Sequence, residues 1–325
     1  MNQNTPLHEL CSIFLDRNTC TNLNDGNNTF VFNFPKQIAT TDKSRISVSN
    51  FSVPYSWFNI TEKIGNNKWG YVWTNSTGTT TVDFTIDDGN YSLNDLNKFL
   101  QFQMVKHGHY LINTDGNFVY YLELTYNITR YRLQINSYQV PSSKPPGWTA
   151  GSGITFNNVV QNIPIFKFTA SAKLGEKQAQ DLLLFFGINT PTAFPLYLPV
   201  ANVNGTNRSS VIPVAGTNTT AIHMIMDKPP EQDTVHSINL SCYGVDNPIR
   251  SSNGQISTYV ITAQNINVEF GNNIVNSNFE SHWIPLCANQ VYNSLKFSLE
   301  DQNGNPLILV DPDTNIELLI TNIRY

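Results

Sequence analysis

Charge is the scarcest property of this sequence. Asp, Glu, Lys and Arg make up 13% of its 325 residues, about half the roughly 25% usual in globular proteins. The formal net charge is −5, and no run of Lys or Arg exceeds two residues. A protein that packages nucleic acid through the phosphate backbone needs clustered cations, so direct genome binding is not expected. Cysteine is also sparse: Cys11, Cys20, Cys242 and Cys287 have no C-x-x-C spacing, and free thiols are the expectation. Residues Met1–Thr21 contain no uninterrupted apolar segment, so they do not read as a secretion signal. No stretch approaches the roughly 20 apolar residues of a membrane span. The G-x-S-x-G elbow, H-E-x-x-H, the P-loop and the dinucleotide fingerprint are all missing, and with them the usual signatures of an enzyme. No internal repeat of about 20–50 residues appears, which argues against a propeller or solenoid.

What fills the space is Asn, Thr and Ser, together with 14 Tyr, 19 Phe and 5 Trp. β-Branched and aromatic residues suit pleated surfaces, and Asn, Gly and Pro suit turns. The expected class is therefore mainly β, a β-sandwich with many loops. Strands are expected at 29–34, stopped by Pro35, and at 45–53, where apolar and polar residues alternate. Further strands are expected at 68–74, 80–86, 118–126 and 130–138. The C-terminal third reads as strands at 221–226, 235–242, 258–262, 266–270, 281–285, 294–299 and 316–323. A helix should start at Ser92, which forms an S-x-x-D capping box with Asp95. Leu93, Leu96, Leu100 and Met104 then recur at helical spacing, and Gly108 is the stop. A second short helix is expected over 176–186. Residues 1–27 read as an extended arm, and 141–153 and 202–220 as exposed loops. N-x-[ST] sequons, among them those at Asn27, Asn59, Asn75, Asn90, Asn127, Asn204, Asn207, Asn218 and Asn239, read as unmodified by-products of composition.

Few residues suggest chemistry. His107 and His109 could approach one metal, yet two ligands fall short of the four in a closed site. His223 and His236 bracket Asp227, Glu231 and Asp233, an imaginable acid–base set in a Pro229-Pro230 loop. Gly151-Ser152-Gly153 lacks nucleophile-elbow spacing, and Asp311-Pro312-Asp313 lacks the spaced oxygens of a calcium loop. No catalytic residue, cofactor or metal is expected. The aromatic group Tyr55, Trp57 and Phe58 is a candidate subunit interface, because aromatics are enriched in interface centres; core packing is the alternative. Trp69, Trp73, Trp148 and Trp283 leave a sugar-binding platform open.

Several short patterns occur in a telling order. They are Asn50-Phe51-Ser52-Val53-Pro54-Tyr55-Ser56-Trp57-Phe58-Asn59-Ile60, then Asn66-Asn67-Lys68-Trp69, then Ile86-Asp87-Asp88-Gly89-Asn90-Tyr91-Ser92 with Leu93 and Leu96. Ile238–Cys242 and Leu299–Leu307 follow near the C-terminus. This set resembles the penton (minor capsid) proteins of virophages, polinton-like viruses and adintoviruses. The resemblance implies a single jelly roll that forms a homopentamer at the five-fold vertices of an icosahedral double-stranded DNA virus. Its neighbours would be trimers of a double-jelly-roll major capsid protein, and its location the virion.

Combined with the strand pattern, the expectation is a single jelly-roll β-sandwich with a large inserted β-rich domain carrying one or two short helices. Its parts would be an arm at 1–27, a discontinuous roll at 28–86 plus 220–325, and an insertion at 87–219. The insertion is the expected contact with a host-cell or giant-virus surface. The alternative is a carbohydrate-binding or adhesin-like β-sandwich.

Overall fold

The computed structural model describes residues 9–16, 20–22, 26–63, 65–75, 78–156, 163–168, 185–187, 196–198, 207–214, 217–226, 228–231, 235–245, 260–276 and 282–323. The chain divides into two compact units, one made of 1–57 and 235–325, the other of 58–234.

The first unit opens with strands β1 (Glu9–Leu15), β2 (Thr21–Asn22), β3 (Thr29–Ala39) and β4 (Arg45–Pro54). The second contains β5 (Lys68–Asn75), β6 (Gly78–Thr85), helix α1 (Leu93–Lys106), β7 (Leu111–Ile112), β8 (Phe118–Val119), β9 (Leu122–Asn127), β10 (Arg132–Tyr138), β11 (Thr149–Ala150), β12 (Ile165–Phe168), β13 (Leu196–Leu198), β14 (Asn207–Val214) and β15 (Thr217–Ile225). The first unit resumes with β16 (Ser237–Tyr243), β17 (Val260–Asn265), β18 (Asn273–Asn276), β19 (Ile284–Pro285), β20 (Val291–Asp301) and β21 (Asn315–Ile323).

The first unit holds two antiparallel sheets, ordered β1-β21-β4-β18 (with β19 also on β4) and β17-β16-β20-β3-β2. Set aside the two-residue strands β2 and β19, and rank the other strands of this unit along the chain. One sheet then reads first, eighth, third, sixth; the other reads fifth, fourth, seventh, second. That is the strand order of a jelly roll, two interleaved Greek keys. The second unit enters between the third and fourth strands, β4 and β16. The inner faces of both sheets share one core, with Ile13, Val48, Phe51, Leu318 and Ile320 from the first and Phe30, Leu240, Phe297 and Leu299 from the second.

Local irregularities set which residues face that core. In β4 the inward residues are Ile46 and Val48, then Phe51 and Val53, so the period of two slips once. Its register against β21 shifts there: Asn50 faces Glu317 and Val48 faces Leu318, which leaves Ser49 as a bulge. In β3 the strand continues past Pro35. Its register against β20 passes from Asn33↔Ser294 to Ile38↔Tyr292, so the proline lies in the stretch where pairing is interrupted. A proline has no N–H to give a ladder, and a bulge is one of the places a sheet tolerates it.

The expected arm at 1–27 is corrected. Residues 9–15 form β1, which pairs with β21 from Glu9↔Ile323 to Leu15↔Ile316. Ile13 and Leu15 are fully buried while Phe14 points outward, an alternation that closes one edge of the roll. The unit boundaries also differ from 86/87 and 219/220, falling at 57/58 and 234/235. The reason is packing. Trp69, Tyr71 and Trp73 of β5 and Val82 and Phe84 of β6 belong to the second core, with the α1 stripe Leu93, Leu96, Leu100 and Met104.

Three sheets build that second core: β13-β12-β5-β6, β14-β15-β10-β9 and β11-β7-β8. Helix α1 carries the expected capping box, with the Ser92 hydroxyl accepting from the Asp95 N–H and the Asp95 carboxylate accepting from the Ser92 N–H. Residues 202–220, expected as loop, include strand β14 and the start of its partner β15; Val211, Ile212 and the threonines from 217 on supply β-branched residues for a ladder. Residues 266–270 form no strand. Of the expected helix over 176–186, only Phe185 and Phe186 lie within the described residues.

Candidate functional site

The residues that carry the family resemblance are mostly inside the protein. Asn59 Nδ2 donates to the Tyr91 carbonyl at 2.9 Å, and Tyr91 N–H returns a bond to Asn59 Oδ1 at 2.8 Å. Asn66 Nδ2 donates to the Asn59 carbonyl at 2.8 Å, and its Oδ1 accepts from Thr61 N–H at 2.9 Å. Asn67 Nδ2 and carbonyl hold both backbone groups of Ile86, and the Trp69 indole donates to the Asn66 carbonyl. An Asn side chain both donates and accepts, so each can close a backbone pair that no strand reaches. Ile60 and Gly89 complete the cluster as a two-way backbone bridge. A Cβ on Gly89 would lie 2.7 Å from the Tyr91 ring, whose hydroxyl reaches back to the Asp87 carbonyl. From Asn59 to Tyr91 the separated motif pieces are therefore one hydrogen-bonded knot at the start of the second unit.

The second motif, after Leu299, is a turn organised by one carboxylate. Asp301 Oδ1 accepts from the N–H groups of Asn303 and Asn305, and its Oδ2 accepts from Asn305 Nδ2. The chain then runs back alongside residues 26–28. The Asn28 side-chain amide donates to the Leu307 carbonyl, the Asn27 amide donates to that of Leu309, and Leu309 N–H donates to Gly26.

The candidate interface divides on inspection. Tyr55 and Trp57 are buried in the jelly-roll core with ring centroids 4.4 Å apart, and Phe58 is half-buried. For Tyr55 and Trp57 the interface reading gives way to core packing, because almost no ring surface is left for a partner. Apolar surface lies beside them instead. Phe270 packs edge-on against Tyr55 and is 42% exposed, and Ser56 Oγ accepts from the N–H of Asp311, next to Val310 at 54%. Ile308 is 42% exposed. The signal for these was the run Leu307-Ile308-Leu309-Val310: in an extended segment only alternate residues can point inward, and Leu307 and Leu309 do.

Several of the residues weighed for chemistry have structural roles. His109 is buried, its Nδ1 is 2.8 Å from the Tyr71 hydroxyl, and its ring stacks on Trp73 at 4.4 Å and 7°. Burial, then the neighbouring His107, pushes its pKa down to about 4, so it is neutral near pH 7. Gly151 and Gly153 are needed for close packing: a Cβ on Gly153 would come within 2.1 Å of the His107 carbonyl, and one on Gly151 within 2.3 Å of the Gly108 carbonyl. Asp311 caps its own turn by accepting from Asp313 N–H. Trp69 and Trp73 are fully buried, so neither is a sugar platform; Trp148 and Trp283 are half-buried.

One polar cluster was not anticipated. Glu123, Asn136 and His223 lie in register across β9, β10 and β15. Asn136 Oδ1 accepts from Gln134 Nε2 and from His223 Nδ1, both at 2.6 Å, while its amide donates to Thr125 Oγ1 at 3.1 Å. Tyr138 donates to Glu123 Oε2 at 3.4 Å. Burial raises the Glu123 pKa and lowers that of His223, favouring the uncharged form of each. The arrangement ties neighbouring strands together by hydrogen bonds. Asp227 and Asp233, the acids expected near His223 and His236, lie outside the described residues, and Glu231 is exposed. Among the described residues, no group of three or more His, Cys, Asp or Glu could hold a metal. No described helix is long and apolar enough to cross a membrane.

No protein-family model and no curated protein matches the sequence. Among solved structures the chain is similar to the mavirus penton protein, with a TM-score of 0.43 and 12% identity over 98% of this chain and 99% of that one. It is also similar to a chain of the Sputnik virophage structure determined by cryo-EM, with a TM-score of 0.40 and 12% identity over 97% and 98%.

Proposed function

We propose that this chain is the vertex (penton) protein of an icosahedral double-stranded DNA virus and acts as a homopentamer. The observation that carries the reading is the jelly-roll strand order of the first unit, joined to the ordered motifs at residues 50–96 and 299–307. Its mechanism is association. A five-fold ring repeats one heterologous pair of surfaces until rotation closes it. With 13% charged residues, such contacts rest on apolar area and neutral hydrogen bonds more than on salt-sensitive ion pairs. Phe270, Ile308 and Val310 are the proposed apolar contact, replacing Tyr55 and Trp57. A double-jelly-roll major capsid protein is the proposed neighbour, and the second unit the proposed contact with a host-cell or giant-virus surface.

The test is native mass spectrometry of the purified chain, followed by cryo-EM of particles assembled with its major capsid protein. Five copies at each five-fold vertex are expected. Val310→Asp should shift free protein toward monomer and lower vertex occupancy without unfolding it. A trimer, or density at any other shell position, would refute the vertex reading.

A further inference from the structure

One groove in the second unit has the chemistry of a sugar site, and it stands independently of the vertex reading. It lies between the first turn of α1 and strand β9, and Pro230 forms a further part of its wall. Its volume of about 650 Å³ is within the roughly 300–1,000 Å³ of small-ligand sites. Ser92, Asn94, Asn97 and Thr125 offer hydroxyls and amides, and Tyr126 offers a ring that is 43% exposed. None of the lining residues is Asp, Glu, Lys, Arg or His.

The hairpin that ends β9 adds a second, independent observation. Its loop runs from Ile128 to Tyr131, closed by the pair Asn127↔Arg132. Tyr131 has a φ of 50°, in the left-handed region. The other non-glycine residues described there are Asn27, Asn289 and Asn322, and Asn tolerates that conformation where a bulky ring does not. Gly or Asn would serve the turn better, yet the position carries an aromatic. The result is a tyrosine 66% exposed, with its ring centroid 6.4 Å from that of Tyr126 and nearly perpendicular to it. Backbone strain of this kind persists where a side chain is wanted in place.

We propose that this groove binds neutral saccharide residues, with the apolar face of a sugar ring on Tyr126, its edge against Tyr131 and its hydroxyls on the amides of Asn94 and Asn97. The edge of the sheet argues against the other obvious occupant, an extended peptide. β9 is an edge strand, ordered β14-β15-β10-β9, and a peptide would add to it through a continuous ladder. The Leu124 N–H that such a ladder needs already donates to Asn97 Oδ1 at 2.9 Å. That bond interrupts a ladder and uses only the oxygen of the Asn97 side chain. The lack of charge in the lining argues equally against sialylated or sulfated glycans.

The test uses the full chain on an array of neutral oligosaccharides ending in galactose, mannose, N-acetylglucosamine or fucose, printed beside sialylated and sulfated ones, with titration calorimetry on the strongest binder. Binding to at least one neutral glycan is expected. Tyr126→Ala and Tyr131→Gly should each weaken it about tenfold, the loss of one aromatic contact. Tyr131→Gly suits the turn better than the native residue, so its melting temperature should hold or rise, which separates lost binding from lost folding. The proposal is overturned if no neutral glycan binds or if both variants bind like the wild type. Binding confined to charged glycans, or to extended peptides in a parallel array, would overturn it as well.

Discussion

A buried imidazole packed between aromatic rings has a definite pH signature. His109 donates to or accepts from Tyr71 and stacks on Trp73, and no described salt bridge offsets a charge there. With its pKa lowered from 6.5 to about 4, the unfolded chain takes up a proton that the folded chain refuses. Stability from this group is therefore complete above pH 6.5 and is lost as pH falls toward 4. Urea midpoints measured across this window should fall for the wild type more steeply than for His109→Gln, which has no proton to gain. Equal slopes would show that His109 is not the titrating group. The sequence suggested little of this, because a His-Gly-His after a helix looks the same whether its rings are solvated or stacked. The knot of Asn59, Asn66, Asn67 and Tyr91 was legible only as a pattern. Nothing in the string of letters says that an Asn turns its amide inward to hold another residue's backbone.

At the level of elements, local signals were read correctly where one face and one partner decided the outcome. The Ser92–Asp95 box and the apolar stripe gave α1 its start, and the run of β4 gave that strand. What failed was whatever depended on a distant partner. Cys11, Ile13 and Leu15 alternate along β1, but the strand is short and its mate, β21, lies some three hundred residues away along the chain. Pro35 looked like a stop because the break in register that accommodates it exists only in the pairing of β3 with β20. Deletion of residues 1–15 tests the corrected role of β1. It removes Ile13 and Leu15 from the core, at about 1.5–3 kcal/mol each. The expected result is a marked drop in urea midpoint or failure to fold, whereas removing a detached arm would leave the midpoint unchanged.

For the whole molecule, the separation into two cores makes a calorimetric prediction. The buried sets of the two units have no residue in common, so unfolding should not be a single two-state event. Differential scanning calorimetry should resolve two transitions. Phe297→Ala should lower one of them and Trp73→Ala the other, each losing about 3–5 kcal/mol. A single transition shifted by both variants would show that the units unfold as one. Mainly β character was legible from composition, but the jelly-roll order was not. It is a matter of which strands meet, and only the family resemblance anticipated it. The unit boundary was misjudged for the same reason: β5 and β6 read as strands, and the sequence does not say which core they join.

The pairing of Glu9 with Ile323 also fixes an order of events during synthesis. A chain emerges from the ribosome at about 5–20 residues per second, and domains generally fold as units as they appear. The unit formed by 58–234 has all its strands before β16 is made, whereas the roll begun by β1, β3 and β4 must wait for β20 and β21. For that interval β4 lacks its partners β18 and β21, from which the whole second unit separates it along the chain. An interruption of translation late in the chain would thus release a folded second unit attached to unpaired, aggregation-prone strands. The jelly roll, by contrast, is complete only once β21 has been made.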